Sequence, residues 1–545
     1  MVSPHVGSVD RQYKPRDLED WVKKFWEDFQ IYQKVTERNP TSQKYYFLDG
    51  PPFPSSGTPH IGTCWNKIIK DIVIRFRRSS GYHVRDQPGY DCHGLPIELT
   101  VENMLKITTK TEIEEYGVSK FVQACKDLAL TNSKAMSSQF LELGVWMDWD
   151  NPYMTHDDAY IESVWWSIKE ASKRGLLEHG LKVVHWCSRC ETVLSDYEVV
   201  MEYATLSDPS VFVKFPLEGG QNESILIWTT TPWTLPSNVA IMVNPDLDYS
   251  RVESEGEIFL IANARIEPVF GGAERDYSIL DSFKGKTLIG LRYKSPLAQI
   301  VPAQRDLMSA HKIIGSKEFV SLDEGTGFVH TAPGHGEEDF EVGIENDLPV
   351  LMLADKQGKF TEQAGKYSGR KVREANKDIV DDLETSGAIF GAETIYHRFP
   401  LCWRCRTPLI MRATDQWIVR VTKIKEKLLQ ESTKSKWYPD WAGNNTFKNW
   451  LEGLRDWIIS RQRFWGTPIP IWKCQKCDKE KIIASREELE QKSMVKVDLP
   501  DLHAPSVDKA ILKCSCGNEM IRVPDVLVCW FDSGVASFAS LGYPK

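Results

Sequence analysis

A Gly- and Pro-rich loop near the N-terminus carries the first side chains that could bind a substrate. Residues 49–63 read DGPPFPSSGTPHIGT and follow a short apolar and aromatic run at 45–48. Because proline lacks the N–H that a central strand needs, the loop ends that strand, and a helix is predicted from Ile61. The free N–H groups and the dipole of its first turn favour a phosphate. His60 and Thr63 could reach the same anion, although a purely structural turn fits the pattern about equally well.

The predicted helix has apolar residues spaced three and four apart, which predicts one buried face. Ser79, Ser80 and Gly81 end it, and residues 82–85 predict the next strand. The residues of the predicted buried face are Ile61, Trp65, Ile68, Ile69, Ile72, Val73 and Phe76.

A second loop places a carboxylate and an imidazole two residues apart. Residues 89–98 read GYDCHGLPIE and contain Asp91 and His93. The carboxyl end of a strand in a parallel sheet is where ligands bind, so this loop is a candidate substrate site. A surface turn is the alternative.

Eight of the twelve cysteines lie in tight pairs, which indicates metal binding rather than disulfides. Each pair is on a short turn of the kind that holds a tetrahedral zinc ion. The last two pairs are close in sequence and predict one zinc ribbon, whereas the first two are far apart and would join the two necks of a pendant middle domain. A redox motif or an unpaired CxxC is the alternative for each. The pairs are Cys187 with Cys190, Cys402 with Cys405, Cys474 with Cys477, and Cys514 with Cys516.

Helices are predicted at 121–140 and 160–174. In the middle of the chain, residues 208–393, the pattern predicts short strands instead. This middle part contains two polar stretches, WTTTPWTLPSN at 228–238 and GTGFVHTAPGHGEED at 325–339. Neither offers an activated Ser or Cys nucleophile, so hydrolysis by a positioned water is the chemistry expected there. A plain strand fits the threonines about as well. The strands are predicted at 211–215, 225–228, 239–243 and 258–261.

Length and composition bound the class of protein. At 545 residues and 41% hydrophobic, the chain is long enough for three or more domains. We expect no membrane span and no secretory signal, and hence a cytoplasmic protein, because no apolar run approaches the ~18 residues that a membrane helix needs. A net charge of −9 argues against general nucleic-acid binding. Local basic patches remain possible at Arg75, Arg77 and Arg78, and at Arg455, Arg461 and Arg463.

These motifs resemble those of one enzyme family. DGPP followed by PHIGT resembles the HIGH signature of class I aminoacyl-tRNA synthetases in its HxGT form, and GYDCHGLP is similar to the GWDxHGLP of synthetases for branched aliphatic amino acids. TTTPWTLPSN and GTGFVHTAPGHGEEDF resemble the editing domain of isoleucyl-tRNA synthetases. WIISRQRFWGTP and CWFDSG are similar to stretches of the same family's second catalytic half.

The resemblance implies a role for each matching residue. His60 and Gly62 would contact ATP, with Thr63 at a position where the standard motif has histidine. Pro51, Asp91 and Trp530 would bind isoleucine, with Asp91 on the ammonium group. The editing residues would be Thr229, Thr230, Thr231, Thr234, His330 and Asp339.

The resemblance also implies a fold: an α/β protein with a split doubly wound, Rossmann-type parallel-sheet catalytic domain, an inserted β-rich editing domain and zinc knuckles. The expected boundaries are 1–200 for the first catalytic half, 201–395 for the editing domain and 396–545 for the second half, with the zinc ribbon at about 470–520. The family's KMSKS loop, its GxDQTRGW stretch and its helical anticodon-binding domain are absent from the sequence, so we expect a chain cut off inside the catalytic domain.

The implied activity is that of an isoleucine–tRNA ligase with hydrolytic editing of misacylated valyl-tRNA. The implied cofactors are two Zn²⁺ ions and ATP with Mg²⁺. Isoleucine and its tRNA would be the partners, and we expect a monomer that binds neither membrane nor DNA. The alternatives are a chain competent only for editing, a valyl or leucyl relative, and a zinc-dependent interaction or nucleic-acid module.

Overall fold

The computed structural model describes residues 12, 14–38, 41–307 and 310–545. The chain divides into two compact units. The first comprises residues up to 107, 113–170 and 464–545, and the second comprises 108–112 and 171–463. The chain therefore leaves the first unit after residue 170 and returns to it at 464.

The helices are short apart from α3, α6 and α7. In chain order they are α1 (Pro15–Asp28), α2 (Ile31–Thr36), α3 (Ile61–Ser79), α4 (Leu95–Leu105), α5 (Lys110–Tyr116), α6 (Val118–Glu142), α7 (Asp158–Lys173), α8 (Asp196–Val199), α9 (Pro302–Asp306), α10 (Glu337–Glu345), α11 (Asn376–Thr385), α12 (Lys425–Ser432), α13 (Lys448–Glu452), α14 (Arg486–Lys492), α15 (Cys529–Gly534) and α16 (Ala536–Ala539).

The strands are concentrated in the second unit. In chain order they are β1 (Lys44–Tyr46), β2 (His83–Arg85), β3 (Gly89–Tyr90), β4 (Tyr153–Met154), β5 (Leu177–Cys187), β6 (Thr192–Leu194), β7 (Tyr203–Pro216), β8 (Glu223–Thr229), β9 (Ala240–Val243), β10 (Asp248–Ser254), β11 (Glu257–Ala262), β12 (Ser278–Lys284), β13 (Lys312–Gly315), β14 (Phe328–Thr331), β15 (Ile389–Pro400), β16 (Ile410–Val419), β17 (Trp457–Ile458), β18 (Ser460–Arg461), β19 (Ile471–Cys474), β20 (Glu480–Ile482), β21 (Leu512–Lys513), β22 (Glu519–Arg522) and β23 (Val526–Leu527).

The first unit contains two short parallel ladders. β1 pairs with β2, and β3 pairs with β4. The loop 49–60 leaves β1 and leads into α3, and the loop after β3 leads into α4, so both candidate substrate loops follow parallel strands as predicted. The larger doubly wound sheet stays a prediction. A four-stranded antiparallel sheet in the order β20-β19-β22-β21 carries the last four paired cysteines.

The prediction of a buried apolar face on α3 is wrong. The spacing of the apolar residues is helical, but Ile61, Trp65 and Phe76 are 85%, 67% and 64% exposed, and the other four residues of the stripe are also exposed. The buried residues of α3 are Lys67, Asp71, Ile74 and Arg78, three of them charged. Periodicity identifies residues that share a face, whereas burial depends on what packs against that face. Here the polar face is buried through ion pairs.

Ion pairs also account for three of the six arginines proposed as basic patches. Arg78 pairs with buried Asp86, and Arg75 Nε lies 2.6 Å from Asp71. In the second unit, Arg461 lies 2.6 Å from Glu198, and both side chains are buried. These guanidinium groups are committed to the fold, so they do not form a nucleic-acid surface.

The second unit is built around a six-stranded sheet in the order β12-β10-β11-β8-β7-β15. Val211, Val213 and Phe215 of β7 alternate into its core, which is the period of two expected for a strand with one buried face. β15 pairs with β7 over the full length of β15, from Pro400 opposite Tyr203 to Ile389 opposite Val213. The strands predicted at 211–215, 225–228, 239–243 and 258–261 are confirmed as parts of β7, β8, β9 and β11, and the two predicted helices as parts of α6 and α7.

Two smaller sheets complete the second unit. One has the order β13-β9-β14 and the other β17-β16-β5-β6. The domain boundaries at 200 and 395 stay predictions. Within the part of the chain that the structure describes, no helix combines the length and the apolar character needed to cross a membrane.

Candidate active sites and metal centres

The loop after β1 begins at a buried carboxylate. Asp49 is fully buried, and its Oδ1 accepts from Lys70 Nζ at 2.6 Å. Lys67, also on α3, pairs with the other oxygen, which accepts from the backbone N–H of Gly89 at 3.1 Å. Burial lowers the pKa of Lys67, an effect that Asp49 opposes. This cluster joins the loop to the helix that follows it, and sequence reasoning missed it because lysines on a helix are usually exposed.

His60 caps the N-terminus of α3. Its Nδ1 accepts from the backbone N–H of Gly62 at 3.0 Å and of Thr63 at 3.3 Å, and its Nε2 lies 3.0 Å from Thr63 Oγ1. A neutral imidazole has one donor and one acceptor, so Nε2–H donates to the Thr63 hydroxyl. The Thr63 hydroxyl hydrogen is then free to donate to a ligand. The sequence-predicted trio of His60, Gly62 and Thr63 is thus brought together.

This trio borders a cavity of about 240 Å³. A Cβ on Gly62 would lie 3.0 Å from His60 Cε1, so any other residue would push the imidazole aside by a few tenths of an ångström. The cavity is lined by Gly50, Pro51, Pro52, His60, Gly62, Thr63, Asn66 and Lys67. It therefore combines an uncrowded helix N-terminus with a buried ammonium group, an environment suited to an anion.

Asp91 is buried and lies against the same loop. Its backbone N–H donates to Pro52 O at 3.0 Å. Burial raises the pKa of its carboxyl well above the usual range, and the charge of Asp532 adds to the rise. Gly94, at φ +89°, leaves room for α15, because a Cβ there would lie 3.0 Å from Cys529 Sγ.

Trp530, on α15, contacts the loop 49–60 at Phe53. Its ring lies edge-on to Phe53, with the ring centroids 6.1 Å apart. Residues 51–53 thus contact, in turn, the cavity at α3, the Asp91 loop and Trp530. The three residues predicted to bind isoleucine, Pro51, Asp91 and Trp530, all lie on or against this one segment.

In the second unit, the threonines of the first polar stretch form a hydrogen-bonded chain. Thr229 ends β8, and residues Pro232–Ser237 form a 3-10 helix, so the stretch is not a plain strand. Thr229 Oγ1 and Thr231 Oγ1 are 3.3 Å apart, as are the hydroxyl oxygens of Thr231 and Thr234. Thr230 lies between them and is half-buried.

The chain of threonines ends on His330 of β14. Thr234 Oγ1 lies 2.9 Å from His330 Nε2 and donates to Thr231 O at 2.8 Å. His330 Nδ1 accepts from the amide of Asn238 at 3.0 Å, which leaves Nε2–H as the donor to Thr234. Burial lowers the pKa of His330 to about 3, with His335 adding to the effect, so the ring is neutral. Asn238, which sets its tautomer, was within the motif but was not predicted as a site residue.

Asp339 is hydrogen-bonded to the end of β14, the strand that contains His330. Its Oδ2 accepts from the backbone N–H of Ala332 at 2.8 Å, immediately after β14. Burial raises the pKa of Asp339 to about 7, whereas this hydrogen bond opposes the rise. The structure therefore brings the two polar stretches together, because Thr234 of the first contacts His330 of the second. Asp339 is hydrogen-bonded to Ala332, which follows His330 by two residues in the sequence.

Eight cysteines form two clusters. Cys187, Cys190, Cys402 and Cys405 make the first, and their sulfur atoms all lie within 4.8 Å of one another. The second is formed in the same way by Cys474, Cys477, Cys514 and Cys516. Thr407 and Asn518 hydrogen-bond sulfurs in the two clusters, at 3.2 and 3.4 Å.

Both clusters suit a tetrahedral metal ion. A Zn–S bond of about 2.3 Å requires sulfur atoms about 3.8 Å apart. The shortest separations are 3.4 Å between Cys187 and Cys405, and 3.5 Å in the second cluster. Four soft donors at nearly this spacing are the ligand set that zinc prefers. The predicted pairing of the cysteines across the middle of the chain is confirmed as a group that could hold a metal ion.

Comparison with known proteins identifies the family of this chain. Residues 21–545 match the family model described as tRNA synthetases class I (I, L, M and V). Proteins named isoleucine–tRNA ligase are 50% identical in Saccharolobus islandicus, 48% in Methanothermobacter marburgensis and 49% in Pyrococcus furiosus, over 97%, 99% and 98% of this chain. The chain covers 51%, 51% and 53% of those proteins, so it spans about half the length of the curated relatives it matches. The chain belongs to the class I tRNA synthetases of the isoleucine, leucine, methionine and valine group.

Proposed function

We propose that this chain carries the amino-acid activation site and the editing site of an isoleucine–tRNA ligase. The observation that carries the proposal is the convergence of His60, Asp91 and Trp530 on the segment 51–53, in a chain about half identical to proteins of that name. The split, doubly wound catalytic domain and its partners, isoleucine, ATP with Mg²⁺ and isoleucine tRNA, are part of this proposal.

In this proposal, activation depends on alignment and charge stabilisation rather than on a covalent enzyme intermediate. The ammonium group of isoleucine pairs with Asp91, and its side chain packs against Trp530. The phosphates of ATP lie at the N-terminus of α3, where the Thr63 hydroxyl and nearby Lys67 supply donors. His60 holds the helix N-terminus in shape and orients Thr63.

The second polar site is proposed to hydrolyse valine wrongly attached to the isoleucine tRNA. One methylene is worth only about 1–3 kcal/mol in a pocket, a figure for which isoleucine-specific synthetases are themselves the usual example. A second site that removes the smaller product is therefore needed. Asp339 would pair with the ammonium of the misattached residue. Thr229, Thr230, Thr231 and Thr234 would line the pocket and orient the ester and the water, with His330 behind them.

The proposal includes an inserted editing domain at 201–395 between zinc-linked necks. The pairing of β7 with the whole of β15 supports this, because it places residue 203 beside residue 400. The first cysteine cluster draws one pair from just before β7 and one from just after β15. One zinc ion there would bind both necks, and a second would hold the ribbon around β19 and β22.

The decisive experiment measures the binding of stable sulfamoyl analogues of isoleucyl-, valyl- and leucyl-adenylate by calorimetry. We expect the isoleucyl analogue to bind at least about 10-fold more tightly than the valyl analogue. Asp91→Asn should weaken it strongly, because a buried charge pair is lost, while the exposed Asp150→Asn is the matched control. Equal binding of the three analogues, or an unchanged Asp91→Asn, would contradict the proposal. Tightest binding of the valyl or leucyl analogue would favour a relative of that specificity.

A further inference from the structure

A buried hydrogen-bonded chain in the first unit runs behind the Asp91 loop. His93 Nδ1 lies 2.8 Å from Asp532 Oδ2, and His93 Nε2 lies 2.9 Å from His503 Nε2. His503 Nδ1 lies 3.5 Å from Asp501, which pairs with Lys126 at 3.1 Å. His93, His503 and Asp532 are fully buried. The role proposed above for Asp91 uses none of these residues.

Once Asp532 is ionised, the two protons between Asp532, His93 and His503 have defined places. Burial lowers the pKa of His93 well below its usual range, so this ring is neutral and has one donor and one acceptor. If Nδ1–H donates to the Asp532 carboxylate, Nε2 must accept from Nε2–H of His503. These hydrogen bonds then hold the ionised Asp532 carboxylate in a fixed orientation. Trp465 stacks on His503, with the ring centroids 4.6 Å apart and the planes at 14°, which holds that ring in orientation.

Asp91 and Asp532 lie close enough to affect each other. α15 carries Asp532 and packs against the Asp91 loop, because Cys529 contacts Gly94 and His93 contacts Asp532. Burial raises the pKa of both carboxyls, and for Asp91 the charge of Asp532 adds to the rise. One oxygen of each, Oδ1, is buried and has no hydrogen-bond partner among the described residues. Two buried carboxylates with unused oxygens are unfavourable without a cation, and a shared cation removes that cost.

We propose that Asp532 is a second carboxylate for the substrate ammonium group beside Asp91, and that His93 and His503 are positioning residues that orient it. This inference rests on the proposed function and assigns it a further binding residue. It also connects the amino-acid site to the cysteine ribbon, because His503 is next to Leu502, a residue of the ribbon's hydrophobic core. A substrate without an ammonium group would leave both carboxylates without their shared cation.

The test compares isoleucine with 3-methylpentanoate, which lacks only the amino group, by calorimetry on the whole chain. The wild type should prefer isoleucine, and Asp532→Asn should reduce that preference by about 30-fold or more, because one partner of a buried charge pair is removed. The affinity for 3-methylpentanoate should not fall. The exposed Asp498→Asn is the matched control and should behave as wild type.

A second pair of variants tests the positioning role. His503→Ala should lower the affinity for isoleucine while leaving that for 3-methylpentanoate unchanged, and His503→Gln, which can still donate to His93, should recover part of the loss. A merely structural role would weaken both compounds alike. If circular dichroism shows that Asp532→Asn does not fold, the comparison of His503→Ala with His503→Gln tests the proposal in its place.

The outcomes separate this inference from the proposed function. A wild-type chain that prefers isoleucine while Asp532→Asn keeps the full preference overturns the second carboxylate but leaves the proposed function in place. Equal loss of both compounds in a folded Asp532→Asn also overturns it, in favour of a structural role. A wild-type chain that binds isoleucine no better than 3-methylpentanoate overturns both.

Discussion

Asp339 should make the stability of the protein depend on pH. Its pKa is raised from 3.8 to about 7 in the folded protein. Between these values the unfolded chain releases a proton that the folded chain keeps, so stability falls as pH rises. At 1.36 kcal/mol per pKa unit the loss is at most about 4 kcal/mol, complete above pH 7. Because the side chain is partly exposed, solvent screening reduces this to about 2–3 kcal/mol.

Asp339→Asn isolates the effect, because asparagine can accept the same hydrogen bond from Ala332 but does not titrate. We expect the variant to gain about 1.5–2.5 kcal/mol over the wild type between pH 4.5 and pH 8, because part of the loss has already occurred at pH 4.5. The assay is urea unfolding followed by tryptophan fluorescence, taken as the difference between variant and wild type at each pH so that other groups cancel. Glu338→Gln, an exposed neighbour, is the control.

The same titration should govern editing. Asp339 can pair with an ammonium group only when ionised, so deacylation of valyl-tRNA by the wild type should rise through pH 7 more steeply than by Asp339→Asn.

A stability difference that is constant from pH 4.5 to pH 8 would refute the reasoning, because the carboxyl would then titrate alike in the folded and unfolded chain.

Three further predictions follow from the sites. Metal analysis should find two zinc ions per chain, with Cys190→Ser and Cys477→Ser each losing one; a single ion in the wild type would contradict the paired clusters. Gly62→Ala should weaken ATP binding about 10-fold, measured by calorimetry, because the added Cβ shifts the capping imidazole that orients Thr63. Thr234→Val should lower the free energy of unfolding by about 1–3 kcal/mol, because it leaves a buried imidazole N–H unpaired, whereas Thr230→Val should lower it by less; equal effects in urea unfolding would refute this.

The cysteine clusters and several of the helices and strands could be predicted from the sequence because their signals are local. A CxxC or CxC turn presents two sulfurs by its own geometry, and three pairs of the first kind with one of the second leave few combinations. Alternation and helical spacing likewise identified β7, β8, β9, β11, α6 and α7. Each of these depends on neighbours within a few residues.

The interactions behind the first site could not be predicted in this way. His93 and His503 are 410 positions apart, and neither has a local pattern that points to the other. The prediction of which face of α3 is buried was wrong for a related reason. Its apolar residues outnumber its buried charges, but Lys67 and Arg78 are fixed by Asp49 and Asp86, which lie outside the helix. Burial of a charge depends on its partner, and partners distant in sequence carry no periodicity.

The apolar stripe of α3 also determines how this chain behaves in concentrated solution. A contiguous exposed patch of this kind promotes association, and the net charge of −9 opposes it by repulsion between molecules. Salt shortens the range of that repulsion to about 8 Å at 0.15 M, and sulfate strengthens apolar association. The two effects act in the same direction, so we expect solubility to fall steadily as ammonium sulfate is added, with no salting-in at low concentration. Lowering the pH toward the isoelectric point near 5.8 should bring the onset of association to lower salt.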